Sequence, residues 1–228
     1  MKYSLVLLSA GKGVRFGKST PKQYLMFAGK PMIVHTMENV DNIDQIQEVV
    51  VVCSPEDVNL IKKYISSYHL TKKYVFVNGG ETRQESVYNG IKEASSENVI
   101  IHEAARPLVT KADFETLINN EEQNVSYTYT IPYTVLKKNE MDCISDVLNR
   151  KELVNIQLPQ KFEKEKLIKA HELARSENKT FTEDASLLYY YLKERIHCLN
   201  GKVYNIKMTE YVDLFYGEAL IKDGMFRS

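Results

Sequence analysis

The amino-acid sequence predicts an α/β fold, with a Rossmann-like, mostly parallel sheet flanked by helices. Two observations carry this prediction. Continuous apolar runs alternate along the chain with segments of helical periodicity, and several of the runs end in glycines or small polar residues. The 228 residues are enough for one domain with a sizeable core. In such a sheet, ligands bind at the carboxyl ends of the strands, so the loops there are the first candidates for a functional site.

Four buried strands are predicted in the first half of the chain. The first is a continuous apolar run, as expected for a parallel strand that is covered on both faces. The four strands occupy residues 3–9, 48–54, 73–80 and 98–107.

Helices are predicted between and after these strands. Ser54 and Thr110 are expected as N-caps, and Pro55 as the first helical residue after Ser54. The four helices are expected over residues 30–40, 54–68, 82–94 and 110–120.

The second half of the chain is less regular. Residues 125–138 are rich in β-formers but contain Pro132, so part of this segment is expected at an edge of the main sheet or outside it. The features expected after it are the segment "QLPQKF", helices near 163–176 and 182–193, a strand around 197–201 and a last helix after Thr209.

Composition argues against several classes of protein. The chain has 30 basic and 30 acidic residues, and this balance predicts neither a nucleic-acid partner nor attraction to a membrane surface. Its three cysteines are scattered, which argues against a disulfide framework or a zinc site. No stretch approaches the roughly 20 apolar residues of a membrane span. The first apolar run is too short for a signal peptide, so we expect a cytoplasmic protein.

The loop after the first strand, "LSAGKGVRFGKST", ends like the phosphate loop of an ATPase. That match fails, because G-x-x-x-x-G-K-[ST] requires a glycine where Lys12 stands. The dinucleotide fingerprint G-x-G-x-x-G also misses, with Phe16 in place of its third glycine. The second strand ends without the acid that would bind a ribose, although Glu56 on the next helix could supply one. The dinucleotide interpretation is therefore weakened but stays open.

This loop does combine small residues with cations. Small side chains let backbone N–H groups approach phosphate oxygens, and Lys or Arg supplies charge where several phosphates gather. The small residues are Ser9, Ala10, Gly11 and Gly13, and the cations are Lys12, Arg15, Lys18 and Lys22. The loop suits a nucleoside triphosphate, and a solvated basic loop remains the alternative. Residues 79–86 and 103–107 form two more unusual loops at the same predicted edge.

An ordered series of motifs resembles the polyol-phosphate cytidylyltransferases, a family that includes the methylerythritol-phosphate and ribitol-phosphate enzymes. The series covers nearly the whole chain. The motifs are "SAGKGVRFG" with "PKQY", then "GGETRQESVYNG", "HEAARP", "IPYTVLKK", "LNRKELVNIQLPQKF", "FTEDAS" and "YNIKMTEYVDL". The resemblance implies one nucleotidyltransferase domain over residues 1–228, which transfers CMP from CTP to a polyol phosphate and releases pyrophosphate. The implied acceptor is 2-C-methyl-D-erythritol 4-phosphate, used in isoprenoid precursor synthesis.

Two alternatives to this function stay open. Ribitol 5-phosphate is the other acceptor in the family, although "GG-x-x-R-Q-x-S-V" and "AARP" favour the methylerythritol phosphate enzyme. A non-catalytic nucleotide-binding regulator could share the same fold.

The resemblance also implies roles for individual residues. Positioning and electrostatic stabilisation carry this kind of reaction, so His35 and His102 are expected in packing or local hydrogen bonds rather than catalysis. The implied catalytic residues are Arg15, Lys22 and Lys207. The implied nucleotide-binding residues are Ser9, Ala10, Gly11, Gly13, Gly80, Glu81, Arg83, Ser86 and Ala104. The implied acceptor-binding residues are Glu103, Arg106, Thr134, Arg150 and Thr182, and Mg²⁺ is the implied cofactor with Glu103 as its protein ligand.

The segment from about 128 to 158 corresponds to the family's extended β-arm, which exchanges between subunits in relatives. It implies a homodimer in which each site borrows residues such as Thr134 or Arg150, and an intramolecular β-excursion is the alternative. Three departures from the family pattern lie near the acceptor site and weaken its assignment more than that of CTP. They are Glu103 and Glu183, where aspartate is usual, and Leu158, where threonine is usual.

Overall fold

The structure, a computed structural model that describes residues 1–11 and 20–224, contains the predicted alternation of strands and helices. Its strands are β1 (Tyr3–Leu8), β2 (Met26–Phe27), β3 (Lys30–Pro31), β4 (Ile46–Cys53), β5 (Lys73–Asn78), β6 (Asn98–Glu103), β7 (Val125–Thr130), β8 (Leu136–Lys138), β9 (Ile144–Val147), β10 (Val154–Glu163) and β11 (His197–Asn200). Its α-helices are α1 (Met32–Asp41), α2 (Val58–Ser67), α3 (Arg83–Glu93), α4 (Lys111–Asn119), α5 (Lys164–Ser176), α6 (Asp184–Leu192) and α7 (Tyr211–Lys222).

Seven strands form the central sheet, in the order β11-β7-β10-β6-β1-β4-β5. β1 pairs in parallel with β4 and β6, β4 with β5, and β7 with β11. Among the described strands of this sheet, only β10 runs antiparallel, between β6 and β7. The prediction of an α/β fold with a mostly parallel sheet is therefore confirmed.

Both faces of the sheet are covered. On β1, Leu5 and Leu7 belong to one buried core, which α1, α2 and α4 complete, whereas Val6 belongs to a second core with α3, α5 and α6. This two-sided burial explains why the strand is apolar without alternation. None of the described helices has the length and apolar character needed to cross a bilayer.

Two helix starts follow the sequence closely. The hydroxyl of Thr82 accepts the N–H of Glu85, and that of Thr110 accepts the N–H of Asp113. In each case the acid reaches back to the cap N–H, which completes a capping box. Thr82 thereby fixes the first residue of α3 at the carboxyl edge of the sheet.

The helix predicted over residues 54–68 begins later than expected. Residues Pro55–Asp57 form a 3-10 turn, and α2 starts only at Val58. Ser54 makes no capping hydrogen bond, because its hydroxyl is bonded to the Glu56 carboxylate instead. The expectation that Ser54 caps the helix is therefore wrong.

Between β7 and β10 the chain leaves the sheet as a hairpin of β8 and β9. β7 and β10 stay paired out to Thr130 and Val154, so the ends of the predicted 128–158 segment belong to the main sheet. We call residues 131–153 the arm. The arm exposes large apolar side chains, among them Tyr133, Met141 and Ile144. Pro132 lies where the chain leaves the sheet, in agreement with the prediction that part of this segment is outside it.

Candidate active site

A cleft of about 1340 Å³ opens at the carboxyl edge of the sheet. The predicted loops meet in it: Ala10 and Gly11 follow β1, residues 79–86 follow β5, and Glu103 ends β6. Lys22 and Lys207 line the same cleft from other parts of the chain. The predicted convergence of three loops is confirmed for the described residues.

Two glycines allow the loops after β1 and β5 to approach each other and α3. A Cβ atom at Gly79 would lie 2.3 Å from the Cβ of Ala10, and one at Gly80 would lie 2.3 Å from the Cβ of Glu85. Neither position can carry a side chain unless the chain moves. The N–H of Gly80 donates to Ser86 Oγ at 3.1 Å, which joins the loop to the first turns of α3.

The chain beside Lys22 is tied to the end of β1 by neutral hydrogen bonds. Gln23 is 3% exposed, and its Nε2 donates to the carbonyl oxygen of Ser9 at 2.6 Å and to that of Gly11 at 3.1 Å. Because Lys22 and Gln23 share one short 3-10 turn, these bonds fix Lys22 relative to the start of the first loop.

Ser9 itself is held within the fold. Its N–H donates to the carbonyl oxygen of Val52 at 2.7 Å, and its Oγ lies 3.2 Å from the Tyr24 hydroxyl. That hydroxyl donates to Asp57 Oδ2 at 3.0 Å. The N–H of Ser9 is thus already used by the sheet, so the expectation that it approaches a phosphate is not met at this residue.

Glu103 is the centre of a charged cluster. Its side chain is 7% exposed, and Lys207 Nζ lies 2.9 Å from Oε1. Arg83 Nε lies 3.2 Å from the same oxygen, and Arg106 Nε lies 3.4 Å from Oε2. Burial opposes ionisation of Glu103, but the three cations outweigh it and lower its pKa to about 2. Glu103 is therefore ionised at neutral pH.

Arg83 connects this cluster to the start of α6. Its Nη2 lies 3.3 Å from Glu183 Oε2, and its Nη1 lies 2.9 Å from Asp184 Oδ2. Asp184 Oδ1 lies 3.4 Å from Nε2 of the buried His171 on α5. One guanidinium thus faces carboxylates from the end of β6 and from the first turn of α6.

The two neighbouring carboxyl groups of α6 differ in acidity. Burial opposes ionisation of Asp184, but Arg83 and His171 lower its pKa to about 2. Burial raises the pKa of Glu183 to about 7, because Arg83 compensates only part of it and Asp184 and Glu103 add repulsion. Gln160 Nε2 donates to Glu183 Oε2 at 3.1 Å. Asp184 is therefore the member of this pair that is ionised at neutral pH.

Glu103 does not fit the role of a metal ligand in this arrangement. Three positive groups lie within 3.4 Å of its two oxygens, so a divalent ion would be repelled unless they moved away. The described residues also contain no group of three or more His, Cys, Asp or Glu side chains that could hold an ion. The sequence-based expectation of Glu103 as a metal ligand therefore lacks support in the geometry.

The structure brings most of the predicted site residues to one edge. Those that line the cleft are Ala10, Gly11, Lys22, Gly80, Glu81, Arg83, Ser86, Glu103 and Lys207. Arg106 does not line the cleft but contacts Glu103, and its Nη1 donates to the carbonyl oxygen of Asn205 at 3.0 Å.

Other predicted residues lie elsewhere. Ala104 is fully buried and its N–H donates to the carbonyl oxygen of Leu8, so it faces the core rather than the cleft. Thr134 and Arg150 are exposed on the arm, where Arg150 Nη1 donates to the carbonyl oxygen of Pro132 at 2.7 Å. Thr182 is exposed beside Glu183. Gly13 and Arg15 lie outside the described residues.

His35, His102 and Leu158 take part in the packing of the fold. His102 packs edge-on against Phe114, and burial lowers its pKa to about 3, while His35 Nε2 lies 2.8 Å from the carbonyl oxygen of Phe27. Both histidines thus have the packing and hydrogen-bonding role expected of them. Leu158 is fully buried in the core with Phe162, so its departure from the family pattern does not touch the acceptor side of the cleft.

Sequence reasoning missed three residues that shape the site. Gln23 stands in the "PKQY" motif next to Lys22, and its position there was the available signal. Asp184 follows Glu183 in "FTEDAS", yet nothing local shows that it pairs with Arg83. A lone histidine within α5 gave no signal that His171 would lie beside Asp184.

Comparison with known proteins supports one family. The family model for 2-C-methyl-D-erythritol 4-phosphate cytidylyltransferase (IspD) matches residues 3–223. The curated protein of that name from Clostridium botulinum is 35% identical to the chain, and the alignment covers 97% of this chain and 98% of the relative. The one from Caldanaerobacter subterraneus is 36% identical, and the alignment covers 97% of this chain and all of the relative.

Solved structures give the same result. The 4-diphosphocytidyl-2C-methyl-D-erythritol synthase of Anaerococcus prevotii superposes with a TM-score of 0.84 at 25% identity, covering 97% of this chain and 98% of its own. The 2-C-methyl-D-erythritol 4-phosphate cytidylyltransferase of Thermus thermophilus superposes with a TM-score of 0.77 at 25% identity, covering 97% of this chain and all of its own. On sequence and fold together, the chain belongs to the 2-C-methyl-D-erythritol 4-phosphate cytidylyltransferase family.

Proposed function

We propose that this chain transfers CMP from CTP to 2-C-methyl-D-erythritol 4-phosphate, releases pyrophosphate and supplies a CDP-polyol for isoprenoid precursor synthesis. One observation carries the proposal beyond family membership. Lys22, beside the first loop, and Lys207, beside Glu103, line one cleft at the carboxyl edge of the sheet. Two cations that line one cleft suit a reaction between two highly anionic substrates.

In the proposed reaction, an oxygen of the acceptor phosphate attacks the α-phosphorus of CTP. A new phosphorus–oxygen bond forms, and the bond between the α-phosphorus and the bridging oxygen of pyrophosphate breaks. The attacking oxygen is already anionic at neutral pH, so no side chain has to remove a proton. Charge grows on the α-phosphate and on the leaving group, and Lys22 would stabilise it, together with Arg15.

The CTP side of the cleft is built from backbone and small side chains. Ala10 and Gly11 stand at the start of the first loop, Gly80 and Glu81 follow β5, and Ser86 lies on the first turn of α3. We assign these residues to the base, ribose and phosphates of CTP.

The acceptor side is charged. We assign Lys207 and Arg106 to the acceptor phosphate, because each is a cation held beside Glu103, and a phosphate dianion can take over such contacts. Glu103 is an ionised carboxylate and accepts hydrogen bonds only, so it suits the hydroxyl groups of a polyol. Thr182, exposed beside Glu183, remains a proposed contact at the edge of this region.

Mg²⁺ remains the proposed cofactor. It would arrive with the phosphates of CTP, because Mg²⁺ keeps several waters and needs few protein ligands. When bound, it neutralises charge on the triphosphate.

We also propose a homodimer in which the arm completes the site of a second copy. The arm exposes apolar side chains, and its Thr134 and Arg150 do not line the cleft of their own chain.

Mixing the Arg150→Ala variant with the Lys22→Ala variant tests whether the arms are exchanged between subunits. In mixed dimers with exchanged arms, one site holds both wild-type residues and activity returns. If each arm serves its own chain, every site keeps one defect and activity stays low.

Pyrophosphate release from CTP tests the function itself. We expect turnover with 2-C-methyl-D-erythritol 4-phosphate and little with ribitol 5-phosphate. Release with ribitol 5-phosphate alone would replace the proposed acceptor. CTP binding without turnover on any polyol phosphate would indicate a nucleotide-binding regulator.

Lys22→Ala should lower kcat by about 100-fold or more, since it removes one charge that stabilises the transition state. Lys62→Ala on α2 is the matched control, because that lysine stands over the Phe76 ring and does not line the cleft. Wild-type turnover in Lys22→Ala would remove Lys22 from the mechanism.

A further inference from the structure

Arg83 was expected to contact the nucleotide, but its surroundings indicate another role. Its Nε, Nη1 and Nη2 each face a different carboxylate, from Glu103, Asp184 and Glu183, at 2.9 to 3.3 Å. Its side chain is 22% exposed, and its pKa is raised because these carboxylates outweigh the effect of burial. A guanidinium engaged in this way does not offer the open fork that binds a phosphate.

The carboxylates around Arg83 lie on separate elements. Glu103 ends β6, whereas Glu183 is the N-cap of α6 and Asp184 is its first residue. Arg83 is itself the first residue of α3, fixed by the Thr82 capping box. The guanidinium therefore links the starts of two helices to the end of a central strand.

Through its contact with Glu103, Arg83 also positions the groups on the acceptor side of the cleft. Arg83 Nε and Lys207 Nζ approach the same oxygen of Glu103, at 3.2 and 2.9 Å. If Arg83 moved, Glu103 would lose one of its three cationic contacts and would shift, and the Lys207 ammonium would shift with it. A displacement of about 1 Å at a reacting group can cost about 100-fold in rate.

We propose that Arg83, held by Asp184 and Glu183, is a positioning residue that orients Glu103 and Lys207 toward the acceptor and does not bind the nucleotide. This inference rests on the proposed function. Asp184 is the main anchor, since it is ionised and 1% exposed, with the buried His171 on its other side. Glu183 is the weaker anchor because its carboxyl group holds its proton more tightly.

Asp184→Asn and Glu183→Gln test the proposal by separating the two substrates. We expect kcat/KM for the acceptor to fall about 10- to 100-fold in Asp184→Asn and less in Glu183→Gln. The KM for CTP, and CTP binding measured by calorimetry without acceptor, should stay at the wild-type values in both variants. Glu183→Gln keeps the test available if Asp184→Asn does not fold, because its side chain is partly exposed.

Arg83→Lys gives a second, independent readout. A lysine keeps the charge but cannot face three carboxylates at once, so acceptor kcat/KM should lie between those of the wild type and Arg83→Ala. A rise in the KM for CTP in Arg83→Lys or Asp184→Asn would overturn the proposal and restore Arg83 as a nucleotide contact.

Glu48→Gln is the control for general destabilisation, because Glu48 is also a buried, ion-paired carboxylate but lies outside the cleft. If Glu48→Gln shifted the acceptor KM as Asp184→Asn does, the effect would be one of stability and the proposal would fail. If the wild-type chain gave no turnover at all, the proposed function would fail instead, which is a distinguishable result.

Discussion

Glu48 and Glu103 are two buried carboxylates in the same sheet. Glu48 lies near the amino-terminal ends of the strands, and Glu103 lies at their carboxyl ends. Both have a pKa of about 2, yet their partners differ. Glu48 accepts hydrogen bonds from Ser4 Oγ at 2.8 Å and from the N–H and Oγ of Ser95, both at 2.7 Å, with Lys73 as its one cation in the described chain. Glu103 is surrounded by three cations instead.

This difference separates structure from function. The neutral donors to Glu48 belong to the fold itself, on β1 and in the segment before β6, so Glu48 joins neighbouring parts of the chain. In the proposed function, the cations beside Glu103 are shared with an incoming phosphate, and the carboxylate would keep them in place until that phosphate binds. Two equally acidic carboxylates can therefore have different roles, and the kind of partner around each one indicates which role it has.

Glu103→Gln should have the largest effect. The three cations lose the anion that they share, so kcat/KM for the acceptor should fall by about 100-fold or more. The measurement is pyrophosphate release at varied acceptor concentration. Activity near the wild-type value would show that Glu103, like Glu48, serves the fold alone.

Glu48→Gln should have the opposite profile. The amide cannot satisfy Ser4, Ser95 and Lys73 together, so the free energy of unfolding should fall by about 1–3 kcal/mol while turnover stays unchanged. Urea denaturation measures the loss of stability. A drop in turnover at a permissive temperature would contradict the separation of the two roles.

Gln23→Glu asks whether neutral hydrogen bonds can also serve function when they lie at the cleft. The new carboxylate would face the carbonyl oxygens of Ser9 and Gly11, so the KM for CTP should rise about 5- to 10-fold, equivalent to about 1 kcal/mol. Gln47→Glu is the matched control, because Gln47 Nε2 donates to the carbonyl oxygen of Asp44 in an exposed position. An equal effect of the two substitutions would refute a positioning role for Gln23.

Acidification should produce the smallest difference. A carboxyl group whose pKa is lower in the folded than in the unfolded chain stabilises the folded chain at pH values above the group's ordinary pKa near 4.5. This stabilisation is lost as the pH falls towards 2. Urea midpoints of the wild-type chain should therefore decrease below about pH 4.5. The urea midpoint of Glu48→Gln should decrease less steeply with pH than that of the wild type. Identical slopes for the two proteins would indicate that Glu48 is not a strongly acidic group.

Much of the fold was predictable because its signals are local. Apolar runs such as β1 and β4 are covered on both faces, and the Thr110 cap needs only neighbouring residues. The direction of β10, its place between β6 and β7 and the short strands β2, β3 and β9 were not predicted. Strand order depends on contacts between distant segments, which no local pattern encodes.

The site divides in the same way. Loop composition indicated where a triphosphate would bind, and the motifs indicated Lys22, Glu103 and Lys207. The partners of Arg83 could not be predicted, because Glu183 lies 100 positions along the chain and the two meet only once α3 and α6 are both packed against α5. Pairing of charges across such a distance requires the three-dimensional structure.

The approach of Gly79 to Ala10 has a consequence for how this family can vary. The two loops share one small volume, and a single methyl group fills it. A relative that carried a side chain at the position of Gly79 would therefore need a glycine at the position of Ala10. The two positions should covary among homologues, although they follow different strands and stand 69 residues apart in the chain.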